Sequence, residues 1–82
     1  MAVATQFTGT LNPGETNSWF TFGWPLNWFM DWSVRPTSLN GKVEIVSLEV
    51  ENSGSAFTYY LTIKNTGAFP SSFEALYNYT QF

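Results

Sequence analysis

Apolar and polar residues alternate with a period of two in one segment after another of this 82-residue chain. Turn-forming residues interrupt the alternation roughly every 8–12 residues, a spacing typical of all-β sandwiches and barrels. No window shows the longer period of an amphipathic helix, so the pattern favours strands joined by turns. The alternating segments predict six strands, at residues 3–11, 17–24, 27–35, 43–51, 57–64 and in the part of the chain that follows Pro70.

Six strands with no helix, linker or repeat between them predict a single domain over residues 1–82. The expected fold class is all-β: a small six-stranded antiparallel β-sandwich, immunoglobulin-like or jelly-roll-like, with a small barrel as the alternative. Residues 12–15, Asn-Pro-Gly-Glu, predict a hairpin between the first two strands, because proline suits the second position of a turn and glycine accepts positive φ. Asn40 and Gly41 predict a tight turn with positive φ at both residues.

An aromatic block runs from Trp19 to Trp32 and holds all four tryptophans and three of the eight phenylalanines. The alternation divides it between the two faces of the predicted strands. The residues expected inside, as ordinary core, are Phe20, Phe22, Trp24, Trp28, Met30 and Trp32. The apolar residues expected outside are Trp19 and Phe29, together with Ile45, Tyr60 and Leu76 on other strands. Apolar residues in a row on an outer face mark association sites, so these five form the candidate oligomer interface.

The segment from Gly23 to Asn27 contains a proline and predicts a corner between two strands. It brings Trp24 and Trp28 near the polar side chains of Asn27 and Asp31. Indole rings stack on sugar rings and polar side chains bond sugar hydroxyls, so these four residues form a candidate carbohydrate-binding site of the lectin kind. Insertion of the same corner into a membrane surface is a third possibility, and the acidic net charge of −3 argues against it.

Composition excludes several kinds of chemistry. The chain has no histidine and no cysteine, which removes Ser-His and Cys-His catalysis, zinc sites and disulfides. The six carboxylates are scattered, so we expect no catalytic residue, no cofactor and no metal site, and the chain is not expected to be an enzyme. Only three residues are basic, and they are well separated, which leaves no patch for nucleic acid.

Charged residues make up 11% of the chain, against a usual value of about 25%. Because neither a disulfide nor a structural metal is available, burial against a partner is the remaining way for so small a domain to gain stability. We therefore expect a homo-oligomer. No signal peptide and no apolar stretch of membrane-spanning length is visible, so the expected location is either the cytosol or, for a mature secreted form, the outside of the cell.

Residues 59–67, Tyr-Tyr-Leu-Thr-Ile-Lys-Asn-Thr-Gly, resemble the late strand and turn of small bacterial immunoglobulin-like β-sandwich domains, in which a strand ending in Asn-Thr-Gly recurs. The resemblance implies a sandwich and no functional residue, because such domains share architecture and not chemistry. The expected function is that of a non-catalytic binding module that self-associates through its outer apolar row. Carbohydrate binding is the alternative, and a role as a membrane-surface or structural assembly subunit is the third reading.

Overall fold

A computed structural model describes residues 3–82 of the chain and confirms the all-β prediction. Its antiparallel strands form two three-stranded sheets: sheet A has the order β1-β6-β3 and sheet B the order β2-β5-β4. Within the described residues the two sheets remain separate, so the fold is the expected sandwich and not the closed alternative. The strands are β1 (Val3–Leu11), β2 (Thr16–Trp24), β3 (Trp28–Pro36), β4 (Val43–Asn52), β5 (Phe57–Asn65) and β6 (Ser71–Gln81).

The connections between strands differ from the prediction more than the strands do. Residues 12–15 form a turn, in which the Glu15 N–H donates to the Asn12 carbonyl at 2.9 Å and Gly14 has φ 79°. The predicted hairpin is nevertheless wrong, because β1 pairs with β6 and β2 pairs with β5 in the other sheet. At the next predicted turn only Asn40 has positive φ, at 61°. In residues 3–82, β4 and β5 are the one consecutive pair that lies in a single sheet.

Two apolar clusters fill the space between the sheets. The first is built on Leu11, Ile63 and Phe73, and the second on Met30, Tyr59 and Leu61. The four tryptophans pack against these clusters, and the Trp28 ring stacks on Tyr79 with centroids 3.8 Å apart. The predicted core positions Trp24, Trp28, Met30 and Trp32 are thus confirmed.

Strand β2 has its inner and outer faces exchanged relative to the prediction. Phe20 and Phe22, expected in the core, are 64% and 72% exposed. Trp19, expected outside, packs inside against Phe7 and Phe73, with ring centroids 5.5 and 5.4 Å apart. Aromatic residues occupy both faces of β2, so its own alternation did not show which face meets the other sheet.

A β-bulge explains how Trp24 can still be inside. The pairing of β2 with β5 is regular up to Thr21 and resumes at Trp24 after a register shift. Gly23 lies in the shifted segment with φ 82°, a backbone conformation that glycine adopts without strain. An added residue exchanges the two faces of everything that follows it, so Trp19 and Trp24 point inward although their spacing places them on opposite faces of a regular strand.

A second bulge lies in β4, and the prediction for Ile45 on this strand is wrong. This residue was expected on the outer face, but it pairs with Ile63 and packs against both core clusters. The register shifts between Ile45 and Ser47, after which Leu48 pairs with Leu61 and therefore also faces inward. The apolar residues on either side of the bulge consequently share one face.

Candidate functional site

Three exposed aromatic side chains form a patch on the outer face of sheet B. Phe20 and Tyr60 are cross-strand partners with ring centroids 6.3 Å apart, and Phe20 lies 6.2 Å from Phe22. Their interplanar angles are 34° and 28°, so neighbouring rings are inclined only moderately to one another. Tyr60 is 40% exposed and lies on the central strand, whereas the two phenylalanines lie on the edge strand. We call these three residues the aromatic patch.

Carboxylates border the patch on the side of β4. Glu49 is the cross-strand partner of Tyr60, and the Tyr60 hydroxyl donates to Glu51 Oε1 at 2.9 Å. This hydrogen bond, with smaller effects of desolvation and of the charges of both glutamates, raises the pKa of Tyr60 above its ordinary value. The outer face of sheet B therefore changes from apolar at β2 to acidic at β4.

An apolar cleft of about 410 Å³ lies between the two sheets, on the side of β3 and β4. Leu48 and Val50 face the inside of the sandwich yet are 49% and 56% exposed, because sheet A does not cover this part of β4. The lining contains no charged residue. Its members are Leu26, Trp28, Phe29, Met30, Leu48, Val50, Phe57, Tyr59 and Phe82.

The aromatic patch and the cleft lie at opposite edges of sheet B. Strand β2 is one edge of this sheet and β4 is the other, with β5 between them. Because neighbouring strands lie about 4.8 Å apart, the two edge strands are roughly 10 Å from each other. The two surfaces also point in different directions, since the patch is on the outer face and the cleft opens between the sheets.

The structure separates the residues predicted for carbohydrate binding. Trp24 and Trp28 lie together, with ring centroids 6.2 Å apart, but both pack in the core, and only Trp28 also lines the cleft. Asn27 is exposed in the β2–β3 turn, where its backbone carbonyl accepts the Phe82 N–H at 2.8 Å. Asp31 lies on the outer face of sheet A, opposite Asn78.

The predicted interface residues are likewise dispersed. Trp19 and Ile45 are core residues and therefore do not belong to the candidate interface. Tyr60 belongs to the aromatic patch, Phe29 lines the cleft, and Leu76 lies partly buried on the outer face of sheet A.

Among the exposed apolar residues that the sequence did not predict are Phe20, Phe22, Leu48 and Val50. One signal for the two phenylalanines was present, because a glycine inside a strand pattern indicates a bulge and Gly23 follows Phe22 directly. The exposure of Leu48 and Val50 depends instead on how far one sheet covers the other, which strand patterns do not show.

No group of three or more His, Cys, Asp and Glu side chains within residues 3–82 is placed to hold a metal ion. In the same part of the chain, no helix is long and apolar enough to cross a membrane. Comparison with protein-family models, curated proteins and solved structures finds no match to this chain.

Proposed function

We propose that this chain is a non-catalytic interaction module that self-associates through the aromatic patch. The observation that carries the proposal is the exposure of Phe20 and Phe22, 64% and 72%, in ring contact with each other and with Tyr60. Large exposed apolar surfaces of this kind mark association sites on soluble domains. Full burial of one phenylalanine side chain is worth about 1.5–3 kcal/mol, so two on one edge supply a substantial driving force.

The rest of the molecule supports the same proposal. Charged residues make up only 11% of the chain, and the cleft exposes further apolar side chains at the other edge of sheet B. Burial of either surface in an assembly adds to the small core of an 82-residue domain. The resemblance of residues 59–67 to bacterial immunoglobulin-like sandwich domains is part of this proposal only as a statement about architecture.

Size-exclusion chromatography with light scattering tests the proposal directly. At on the order of 100 μM, the wild type is expected to elute as an oligomer, whereas the F20S/F22S variant elutes as a monomer. The matched control is Leu39→Ser, which removes an apolar side chain that is 90% exposed but lies outside the patch; it keeps the wild-type mass. A monomeric wild type at this concentration would contradict the proposal.

Carbohydrate binding is a second candidate, and a specific feature of the patch favours it. The Phe20, Phe22 and Tyr60 rings are exposed and adjacent, and exposed aromatic rings can stack on the apolar face of a sugar ring. The carboxylates of Glu49 and Glu51 lie beside it and can accept hydrogen bonds from sugar hydroxyls. The aromatic patch, rather than the corner predicted from the sequence, is the surface we propose for this activity.

A glycan array tests this second candidate. Binding of a neutral sugar that is lost in both F20S/F22S and Glu49→Gln would support it, since the first variant removes the stacking surface and the second a charged acceptor. Leu39→Ser is again the control. The absence of binding to every neutral and acidic glycan, with the protein at on the order of 100 μM, would exclude carbohydrate recognition.

A further inference from the structure

The two apolar surfaces of this molecule differ in shape. The aromatic patch ends in two side chains, Phe20 and Phe22, that project from an edge strand. The cleft is concave and about 410 Å³ in volume, within the range of about 300–1,000 Å³ of sites that hold a drug-sized ligand. One edge of the domain therefore carries a protruding apolar group and the opposite edge an apolar depression.

A symmetric contact between the aromatic patches of two copies brings carboxylates into the interface. Across sheet B, Phe20 neighbours Tyr60, and Tyr60 neighbours Glu49. If this packing is centred on Tyr60, a two-fold axis perpendicular to the strands places Glu49 opposite Glu49, and an axis parallel to them places Phe20 opposite Glu49. Both arrangements bury a carboxylate without a partner of opposite charge, which is unfavourable.

Packing of the patch into the cleft avoids this problem. The cleft lining contains no charged residue, and its exposed members, Leu48 and Val50 among them, lose water when they are covered. Because Phe20 and Phe22 lie on the edge strand β2, they can enter the cleft of another copy while the glutamates on β4 of their own copy stay outside the contact.

We propose that copies of this chain associate head to tail, with Phe20 and Phe22 of one copy inserted into the cleft of the next. This inference rests on the proposed function and adds the partner surface and the symmetry. The contact joins two different surfaces, so a single contact between two copies leaves one free patch and one free cleft, and further copies can add until a ring closes. The assembly is therefore a ring or an open filament.

Mixing two defective variants tests the head-to-tail geometry. The patch variant, F20S/F22S, retains an intact cleft. The cleft variant, L48K/V50K, retains an intact patch and places two charges where the rings would insert. Each variant alone is expected to be monomeric by light scattering at on the order of 100 μM, and an equimolar mixture is expected to form a 1:1 heterodimer that grows no further.

Folding of each variant is checked by far-ultraviolet circular dichroism and by a cooperative thermal transition. A second cleft variant, L26S/F82S, removes two exposed side chains of the lining without placing charge between the sheets. It is used in the same mixture if L48K/V50K does not fold. Leu39→Ser mixed with the patch variant is the control: it has no defect in its own cleft or patch, and it keeps forming larger assemblies.

The possible results separate this inference from the proposed function. A monomeric wild type would overturn both. An oligomeric wild type whose two variants stay monomeric on mixing would overturn the head-to-tail geometry and leave self-association through the patch intact. If the cleft variant alone formed the same oligomer as the wild type, the head-to-tail geometry would also be overturned, because the cleft would then have no part in the contact.

Discussion

Asn65 is a buried polar residue whose side chain links three segments of the chain. It is fully buried at the end of β5, and its Nδ2 donates to the carbonyls of Leu11 and Phe69 at 2.9 and 2.8 Å. Its Oδ1 accepts the Gly67 N–H at 2.8 Å. The sequence pattern indicates only a turn at Asn65, because the contact with Leu11 joins residues that are far apart in the chain.

Replacement of Asn65 by alanine is expected to lower the free energy of unfolding by about 3–5 kcal/mol, because three hydrogen bonds are lost, one of them buried and two partly buried. Urea unfolding followed by tryptophan fluorescence measures this. The matched control is Asn52→Ala, which removes one exposed hydrogen bond, to the Gly54 N–H, and is expected to cost no more than about 1 kcal/mol. Equal losses in the two variants would contradict the bridging role of Asn65.

Tyr59 and Tyr60 are neighbours whose pKa values are raised for different reasons. Burial raises the pKa of Tyr59, whereas the hydrogen bond to Glu51 is the largest cause at Tyr60. We expect Glu51→Gln to lower the pKa of Tyr60 and to leave that of Tyr59 unchanged. A ¹³C NMR titration of labelled tyrosine resolves the two rings.

The pH dependence of stability follows from the sign of these shifts. A phenol with a raised pKa in the folded state stabilises the fold fully below its ordinary value of 10.0, and this contribution is lost as pH rises through the raised pKa. Stability is therefore expected to fall in the alkaline range. A Tyr60 pKa that does not move in Glu51→Gln would show that the hydrogen bond is not its cause.

At the scale of the strands, β-bulges decide which side chains are buried. The bulge in β2 lets Trp19 and Trp24 share the inner face, and the bulge in β4 does the same for Ile45 and Leu48. A third register shift, between Thr5 and Phe7, occurs in β1. Strand β3 pairs without a shift, and its predicted inner residues are correct throughout.

Gly23 is expected to be required for the β2 bulge, because its φ of 82° strains residues that carry a side chain. Gly23→Val is expected to lower the free energy of unfolding by about 1–3 kcal/mol. Gly23→Asn is the matched control, since asparagine tolerates this conformation better than other residues, and its loss should be smaller. Thermal unfolding of the two variants measures the difference. Nothing lies within 4 Å of a Cβ at this position, so an equal loss would point to a cause other than backbone strain.

Strand position and strand pairing were predictable to different degrees. The bounds of the first five strands agree with the prediction to within one residue, because alternation and turn residues are local features. Pairing depends on contacts between distant segments, and the predicted β1–β2 hairpin was wrong for that reason. The alternation of β2 and β4 alone did not give their inner faces, because one inserted residue reverses the pattern that follows it.

At the scale of the whole molecule, self-association is expected to make thermal stability depend on protein concentration. A partner that binds only the folded chain raises the midpoint of unfolding as concentration increases. We expect this increase in the wild type and in Leu39→Ser, and its absence in F20S/F22S. Differential scanning calorimetry between on the order of 10 and 300 μM measures it. A wild-type midpoint that is independent of concentration would contradict association through the patch.

The position of β6 has a consequence for the order in which the molecule can form during synthesis. Strand β6 is the centre of sheet A and pairs with both β1 and β3, yet it is the last of the six described strands in chain order. Sheet B is complete once Asn65 has left the ribosome, because β2, β4 and β5 precede it. Strands β1 and β3 have no neighbour in their sheet until residues 71–81 emerge, so their backbone N–H and C=O groups lack sheet partners until that segment is made.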